Sequence, residues 1–136
     1  MIKLIVGNKG SGKTKTLIKM ANEAVANSAG HVVVVEKGLK LTYDINHKAR
    51  LVDIEHYDVK GFDCLHGFLT GLMACNYDIT HIFVDATLKI GGADLSAFTD
   101  MVDRLAGLAA EHNVNLIFTV SCNMEELPAS LKGYAI

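Results

Sequence analysis

Short apolar runs alternate along the chain with longer segments in which apolar residues recur every three or four positions. Runs of about 4–8 residues have the length of buried β-strands, and the wider spacing is that of one face of a helix. The short runs predict strands at 2–6, 31–36, 50–55, 81–85 and 115–120. The longer segments predict helices at about 13–28, 61–73 and 94–112.

Strands that alternate with helices are typical of α/β domains with a parallel sheet. The run Val32–Val35 is continuously β-branched, as expected for a strand that is buried on both faces. The run 50–55 is more polar and is expected nearer an edge of the sheet. The sequence therefore predicts an α/β fold whose sheet is mainly parallel and has about five strands.

The segment 37–50 has no decisive pattern. Leu39, Leu41 and Tyr43 alternate with polar residues, which fits either a short hairpin or a loop. Residues 91–93, Gly-Gly-Ala, are expected to form a flexible turn. Asp94 is expected to cap the helix that follows this turn.

Length and charge limit the organisation and the partners. A chain of 136 residues has the size of one domain, so 1–136 is expected to be a single domain. Half of the residues are hydrophobic and the mean hydropathy is +0.26, which is enough for a sizeable core. The formal net charge of −2 provides no global basic field, so neither nucleic acid nor an anionic membrane is indicated as a partner.

Cysteine and histidine usage gives no sign of a disulfide framework or a metal site. Cys64, Cys75 and Cys122 are an odd number without a C-x-x-C pair, and each is expected to fill core space as a thiol. The six His residues are scattered without metal-ligand spacing. No apolar run approaches 18 residues and the chain opens directly into a strand, so a cytoplasmic protein is expected.

One motif carries specific chemistry. The residues between the first strand and the first helix fit G-x-x-x-x-G-K-[ST], the P-loop or Walker A pattern. Its glycines allow positive φ, and successive N–H groups at a helix start attract phosphate. Lys13 is expected to reach the β- and γ-phosphates, and the Thr14 hydroxyl to bind Mg²⁺. The predicted nucleotide-binding residues here are Gly7, Asn8, Lys9, Gly10, Ser11, Gly12, Lys13 and Thr14.

Two acidic residues end predicted strands. The run from Ile82 to Asp85 fits a Walker B strand, in which the carboxylate holds Mg²⁺ beside the P-loop hydroxyl. Ala86 and Thr87 follow, so the adjacent catalytic Glu of many ATPases is absent. Glu36 ends the second strand, at the edge where α/β sheets bind ligands. Its position alone supports a ligand contact and a solvated strand end equally.

The last predicted strand ends in polar residues. Ser121, Cys122 and Asn123 follow directly and are candidates to face a nucleotide, although Asn123 fits the start of a loop slightly better. The tail, 124–136, is expected to cover either a sheet edge or the nucleotide base.

The order of these parts resembles the RecA-type P-loop ATPase core. The resemblance implies a three-layer P-loop NTPase fold, ATP and Mg²⁺ as cofactors, and catalytic roles for Lys13 and Glu36. Glu36 would be the water-activating residue that ends the strand after the P-loop helix. A γ-phosphate sensor would lie at Ser121, with Asn123 as the alternative, although the usual residue there is a longer amide.

The chain also resembles small bacterial ATP-binding proteins labelled as twitching-motility, or pilus-retraction, ATPases. The additional N-terminal domain and the His-containing motifs of those motors are not evident in this sequence. A motility function is therefore not expected from this resemblance.

Three functions remain open. The first is a slow Mg²⁺-dependent ATPase, slow because the only arginines are Arg50 and Arg104. Arg104 is expected to pair with Asp100, while Arg50 would have to act in trans in a homo-oligomer. The second is a non-hydrolysing nucleotide sensor that is read by a protein partner. The third is a small-molecule kinase of nucleoside type, for which 37–50 offers the only room for a substrate pocket.

Overall fold

The structure, a computed structural model, describes residues 1–136. Strands and helices alternate along most of the chain, as the hydrophobic pattern predicts. The elements are β1 (Ile2–Gly7), α1 (Lys13–Asn27), β2 (His31–Glu36), β3 (Arg50–Asp53), α2 (Phe62–Cys75), β4 (Ile79–Val84), α3 (Thr87–Gly91), α4 (Leu95–His112), β5 (Asn115–Ser121) and a 3₁₀ helix (Ala129–Tyr134).

The five strands form one parallel sheet in the order β1-β5-β4-β2-β3. β2 is buried from Val32 to Glu36, which agrees with its continuous apolar pattern. The more polar β3 lies at one edge, as predicted. β5 lies between β1 and β4, so the carboxyl ends of these three parallel strands lie side by side at the same end of the sheet.

Helices cover both faces of the sheet, which gives three layers. α1 packs on one face through Leu17, Ala21 and Ala24. On the opposite face, α2, α3, α4 and the 3₁₀ helix share a larger apolar cluster with the sheet. Its central aromatic residues, Phe98 and Phe118, are fully buried and stack edge to face. None of the helices combines the length and the hydrophobicity that a membrane-spanning segment needs.

The ends of α4 follow from local chemistry. The Asp94 carboxylate accepts hydrogen bonds from the backbone N–H groups of Ser96 and Ala97, as expected for an N-cap. At the other end Asn113 has a left-handed backbone with φ of 56°, a conformation that stops a helix.

Residues 37–49 form a loop of turns and bends, one of the two expected forms, and Leu41, Ile45 and Ala49 anchor it in the core beside α1. Two parts of the structure differ from the expectations. The turn expected near Gly91 is preceded by the short helix α3, which has too few residues to show a helical period. Cys64 and Cys75 are exposed, and Cys122 is the buried cysteine.

The tail covers a sheet edge, one of its two expected positions. The Ile136 N–H donates to the Leu4 carbonyl at 2.9 Å, and Ala135 forms a bridge with Leu4. These contacts occupy the outer edge of β1, which would otherwise present unpaired backbone groups.

The space around Gly91 and around Gly107 predicts opposite effects on stability when each is replaced by alanine. A Cβ at Gly91 would overlap the Phe62 ring, whereas a Cβ at Gly107, in the exposed part of α4, meets open space. We expect Gly91→Ala to lower the free energy of unfolding by about 1–3 kcal/mol through overpacking. Gly107→Ala should raise it by about 0.5–1 kcal/mol. Urea unfolding measures both, and equal stability of the two variants would contradict this packing.

Candidate functional site

The P-loop sequence forms a tight turn between β1 and α1. Gly10 and Gly12 have φ of 85° and 89°, which side chains with a Cβ rarely adopt. The Ser11 N–H donates to the Asn8 carbonyl at 3.0 Å and closes the turn. The geometry therefore favours glycine at Gly12, which the motif specifies, and at Gly10, which lies at one of its variable positions.

The start of α1 has the features of an anion site. Gly12 precedes the helix without a capping side chain, and the first turn contains no acidic residue. Its first N–H groups and the positive end of the helix dipole are therefore available to a phosphate. The Lys13 ammonium folds back over the loop, donating to the Asn8 carbonyl at 2.9 Å and lying 3.5 Å from the Ser11 hydroxyl.

Thr14 and Asp85 meet at the carboxyl ends of the strands. The Thr14 Oγ1 lies 3.4 Å from both Oδ1 and Oδ2 of Asp85, although 71 positions separate the two residues in sequence. A hydroxyl and a carboxylate are oxygen ligands of the kind that Mg²⁺ prefers. Because both groups are accessible and adjoin the anion site, the donor set fits a Mg²⁺ ion that also binds phosphate oxygens.

Asp85 has a second neighbour that the sequence analysis missed. Thr119, on β5, is 2% exposed, and its hydroxyl donates to Asp85 Oδ1 at 2.9 Å. The same hydroxyl accepts the Ala86 N–H at 2.7 Å. One signal was available in the sequence, because Thr119 is a polar residue inside the apolar run 116–120.

Glu36 is buried rather than solvated. It is 2% exposed, and its two carboxylate oxygens accept hydrogen bonds from the N–H groups of Lys40 at 3.0 Å and Leu41 at 3.1 Å. Burial raises the pKa of Glu36 above its ordinary value, and the nearby Asp85 and Asp53 carboxylates act in the same direction. Glu36 therefore stands next to the Thr14–Asp85 pair and also anchors the start of segment 37–49.

The two residues expected at the end of β5 differ in their surroundings. Ser121 is exposed and is in register with Gly7, at the start of the P-loop. The Asn123 side chain accepts the Glu126 N–H at 2.9 Å, while the Glu126 carboxylate accepts the Asn123 N–H at 3.1 Å. These two hydrogen bonds fix Asn123 within the loop after β5. Of the two residues, Ser121 is therefore the better candidate to contact a nucleotide.

Neither arginine lies in this site. Arg104 pairs with Asp100 at 4.0 Å, as predicted, and also with Asp63 at 3.4 Å. Arg50, at the exposed start of β3, approaches the Tyr57 hydroxyl at 3.4 Å. The positive side chains at the P-loop are therefore lysines, and the Lys13 ammonium is the one that contacts the loop backbone.

Other features do not compete with this site. No group of three or more His, Cys, Asp or Glu side chains is arranged to hold a metal. A cavity of about 490 Å³ beside α1 is lined by Lys3, Glu23 and His81, near the amino ends of the strands. In open α/β sheets ligands bind at the carboxyl ends of the strands, and Thr14, Asp85 and Glu36 lie at those ends.

Comparison with known proteins agrees with the fold. No family model matches this sequence, and no curated protein matches it. Among solved structures, the fold is similar to that of the flagellar accessory protein FlaH from Methanocaldococcus jannaschii. The TM-score is 0.54 at 17% identity, over 95% of this chain and 63% of that chain. This chain thus spans less than two thirds of the length of that structure.

At this identity the similarity concerns the fold alone. Together with the five-stranded parallel sheet and its flanking helices, it confirms the predicted fold class, a three-layer α/β fold with a parallel sheet of five strands.

The hydrogen bonds of Glu36 predict a local effect on segment 37–49. Glu36→Ala leaves the N–H groups of Lys40 and Leu41 without their acceptor, so we expect their hydrogen exchange to accelerate about tenfold or more. Glu55→Ala is the matched control, because Glu55 is an exposed partner of Lys37 at 3.8 Å. Exchange measured by NMR should leave the Lys40 and Leu41 rates unchanged in that control. Unchanged rates in Glu36→Ala would show that the carboxylate does not anchor the segment.

Proposed function

We propose that residues 1–136 form a single P-loop NTPase domain that binds ATP with Mg²⁺ and hydrolyses it slowly. The observation that carries the proposal is the meeting of Thr14 and Asp85 at the uncapped start of α1. Two oxygen donors beside an uncapped helix start support the binding of a metal-bound triphosphate.

The roles of the P-loop follow from its geometry. The backbone N–H groups of Gly10, Gly12, Lys13 and Thr14 bind the phosphates together with the Lys13 ammonium, while the Ser11 N–H closes the turn. Lys13 has to exchange its present acceptor, the Asn8 carbonyl, for phosphate oxygens. The other P-loop positions shape the turn, and Ser121 faces the same end of β1 as a candidate contact to the γ-phosphate.

Thr14 and Asp85 hold the metal in this proposal. When bound, Mg²⁺ neutralises charge on the phosphate oxygens. Thr14 is oriented by its place in the first turn of α1, and Asp85 by its hydrogen bond with Thr119. The rate enhancement then comes mainly from positioning and from fixed charges.

Glu36 is the candidate residue for orienting the attacking water. A carboxylate has about four lone-pair positions, and the two bonds from Lys40 and Leu41 leave acceptor capacity on both oxygens. The raised pKa makes Glu36 a stronger base than an exposed glutamate.

The burial of Glu36 also favours a second function, a non-hydrolysing nucleotide sensor. A carboxylate that is 2% exposed and tied to the following segment has limited access to a water on the γ-phosphate. Both arginines are engaged elsewhere, so an arginine finger would have to come from a partner or from a second copy of this chain. Binding of ATP without release of phosphate would support the sensor.

The phosphate site is tested with Lys13→Ala. We expect turnover by the isolated wild-type protein well below about 1 s⁻¹, and a loss of about 100-fold or more in the variant, because one cation on the phosphates is removed. Lys19→Ala, on the exposed side of the same helix, is the matched control and should hydrolyse ATP like the wild type. Phosphate release with Mg·ATP is the measurement. Activity retained by Lys13→Ala, or turnover of tens per second in the wild type, would refute the mechanism.

The role of Glu36 is tested by pH. Since its pKa is raised above 4.5, the ionised base is lost at a higher pH than for an exposed Glu as the solution is acidified. We expect kcat/KM to fall on acidification with a midpoint above 4.5 and to level off as pH rises, because kcat/KM reports groups of the free enzyme. Glu36→Gln should lower kcat about 100-fold or more and remove this acid limb. A variant with the wild-type rate and pH profile would exclude Glu36 as the base.

A further inference from the structure

Thr119 uses both hydrogen-bonding functions of its hydroxyl at the carboxyl end of β4. Val84 and Phe118 are in register between β4 and β5, so the residues that follow them, Asp85 and Thr119, lie side by side. The Thr119 Oγ1 is 2.9 Å from Asp85 Oδ1 and 2.7 Å from the Ala86 nitrogen. The residues before and after Thr119 in β5, Phe118 and Val120, are fully buried.

The direction of these hydrogen bonds is determined by chemistry. A backbone N–H can only donate, so the Ala86 amide occupies a lone pair of the Thr119 oxygen. The single hydroxyl proton is then left for the Asp85 carboxylate, whose Oδ1 accepts it. Because Thr119 is 2% exposed, water has little access to compete for that proton. The hydroxyl therefore has one stable orientation.

This orientation constrains both Asp85 and the turn after it. The hydrogen bond from Thr119 to Oδ1 sets the rotation of the carboxylate. Thr119 makes no hydrogen bond with Oδ2. Ala86 has φ of 58°, a left-handed conformation that is uncommon for residues with a Cβ, and the Thr119 hydroxyl binds its N–H. One side chain thus fixes the carboxylate and the direction in which the chain leaves β4.

We infer that Thr119 is a positioning residue that presents the Asp85 carboxylate to the Mg²⁺ of a bound nucleotide. The inference rests on the proposed function, since it concerns the same metal site. Groups that orient a metal ligand through a hydrogen bond typically change metal affinity about 10–100-fold when they are removed. Thr119 makes no hydrogen bond with Thr14 or Lys13, so its effect should be confined to the metal.

The test compares three variants of the full chain. Thr119→Val has nearly the shape of threonine but lacks the hydroxyl, and Thr119→Ser keeps the hydroxyl but lacks the methyl group. Thr87→Val is the matched control, because Thr87 is equally buried and its hydroxyl donates to the Val84 carbonyl at 3.4 Å, away from the carboxylate. Each variant is titrated with a fluorescent ATP analogue in EDTA, and Mn²⁺ binding to the protein–ADP complex is followed by electron paramagnetic resonance.

We expect Thr119→Val to bind the analogue in EDTA like the wild type but to bind Mn²⁺ about tenfold or more weakly. Thr119→Ser should stay within about threefold of the wild type in Mn²⁺ affinity, since its hydroxyl is retained. Thr87→Val should keep the wild-type affinity whatever its melting temperature. Wild-type Mn²⁺ binding in Thr119→Val would overturn the inference, as would a serine variant as weak as the valine variant.

A second measurement covers the case in which Thr119→Val does not fold. In the wild type, Mg²⁺ added to the ADP complex should shift the Ala86 amide resonance, because Thr119 joins that amide to the metal-binding carboxylate. No shift at Ala86 while the Thr14 resonance responds would overturn the inference. A wild-type protein that binds no nucleotide would instead refute the proposed function, so the two failures are distinguishable.

Discussion

The parallel pairing of β1, β5 and β4 is the constraint on which the candidate site depends. Parallel strands place their carboxyl ends at one edge, and β5 sets the separation between the P-loop and Asp85. The Thr14 hydroxyl therefore faces Asp85 at 3.4 Å, and the Thr119 hydroxyl contacts the same carboxylate from the intervening strand. If β1 and β4 paired directly, β5 could not supply a side chain between them.

Two carboxylates at this edge have different surroundings and hence different chemistry. Asp85 is partly exposed and faces hydroxyl groups, which suits a metal ligand. Glu36 is buried and faces the backbone of segment 37–49, and its pKa is raised. In the proposed mechanism Glu36 is both the base and the anchor of that segment, so the order of the segment is linked to hydrolysis. The ATPase and the sensor differ in whether a water reaches Glu36 when nucleotide is bound.

Features that depend on neighbouring residues in sequence could be predicted well. The P-loop, the Asp94 cap and the buried β2 each arise from local backbone or side-chain chemistry. The helix α3 could not be predicted, because its few residues show no helical period and it is supported by Phe62 of α2. The exposed Cys64 illustrates the same limit, since composition alone does not say which helix face meets the core.

The sequence by itself determined the order of the five strands and the three long helices, the glycine-rich loop that fits the P-loop pattern, and the two strand-end carboxylates Asp85 and Glu36. Each of these is encoded in a short stretch whose residue types have narrow conformational or chemical preferences. Tertiary structure alone decided that Thr119 rather than a residue at the strand tip contacts Asp85, and that Glu36 is enclosed by segment 37–49. These outcomes depend on strand register and on loop packing, which bring together groups far apart in sequence and leave no periodic signal along the chain.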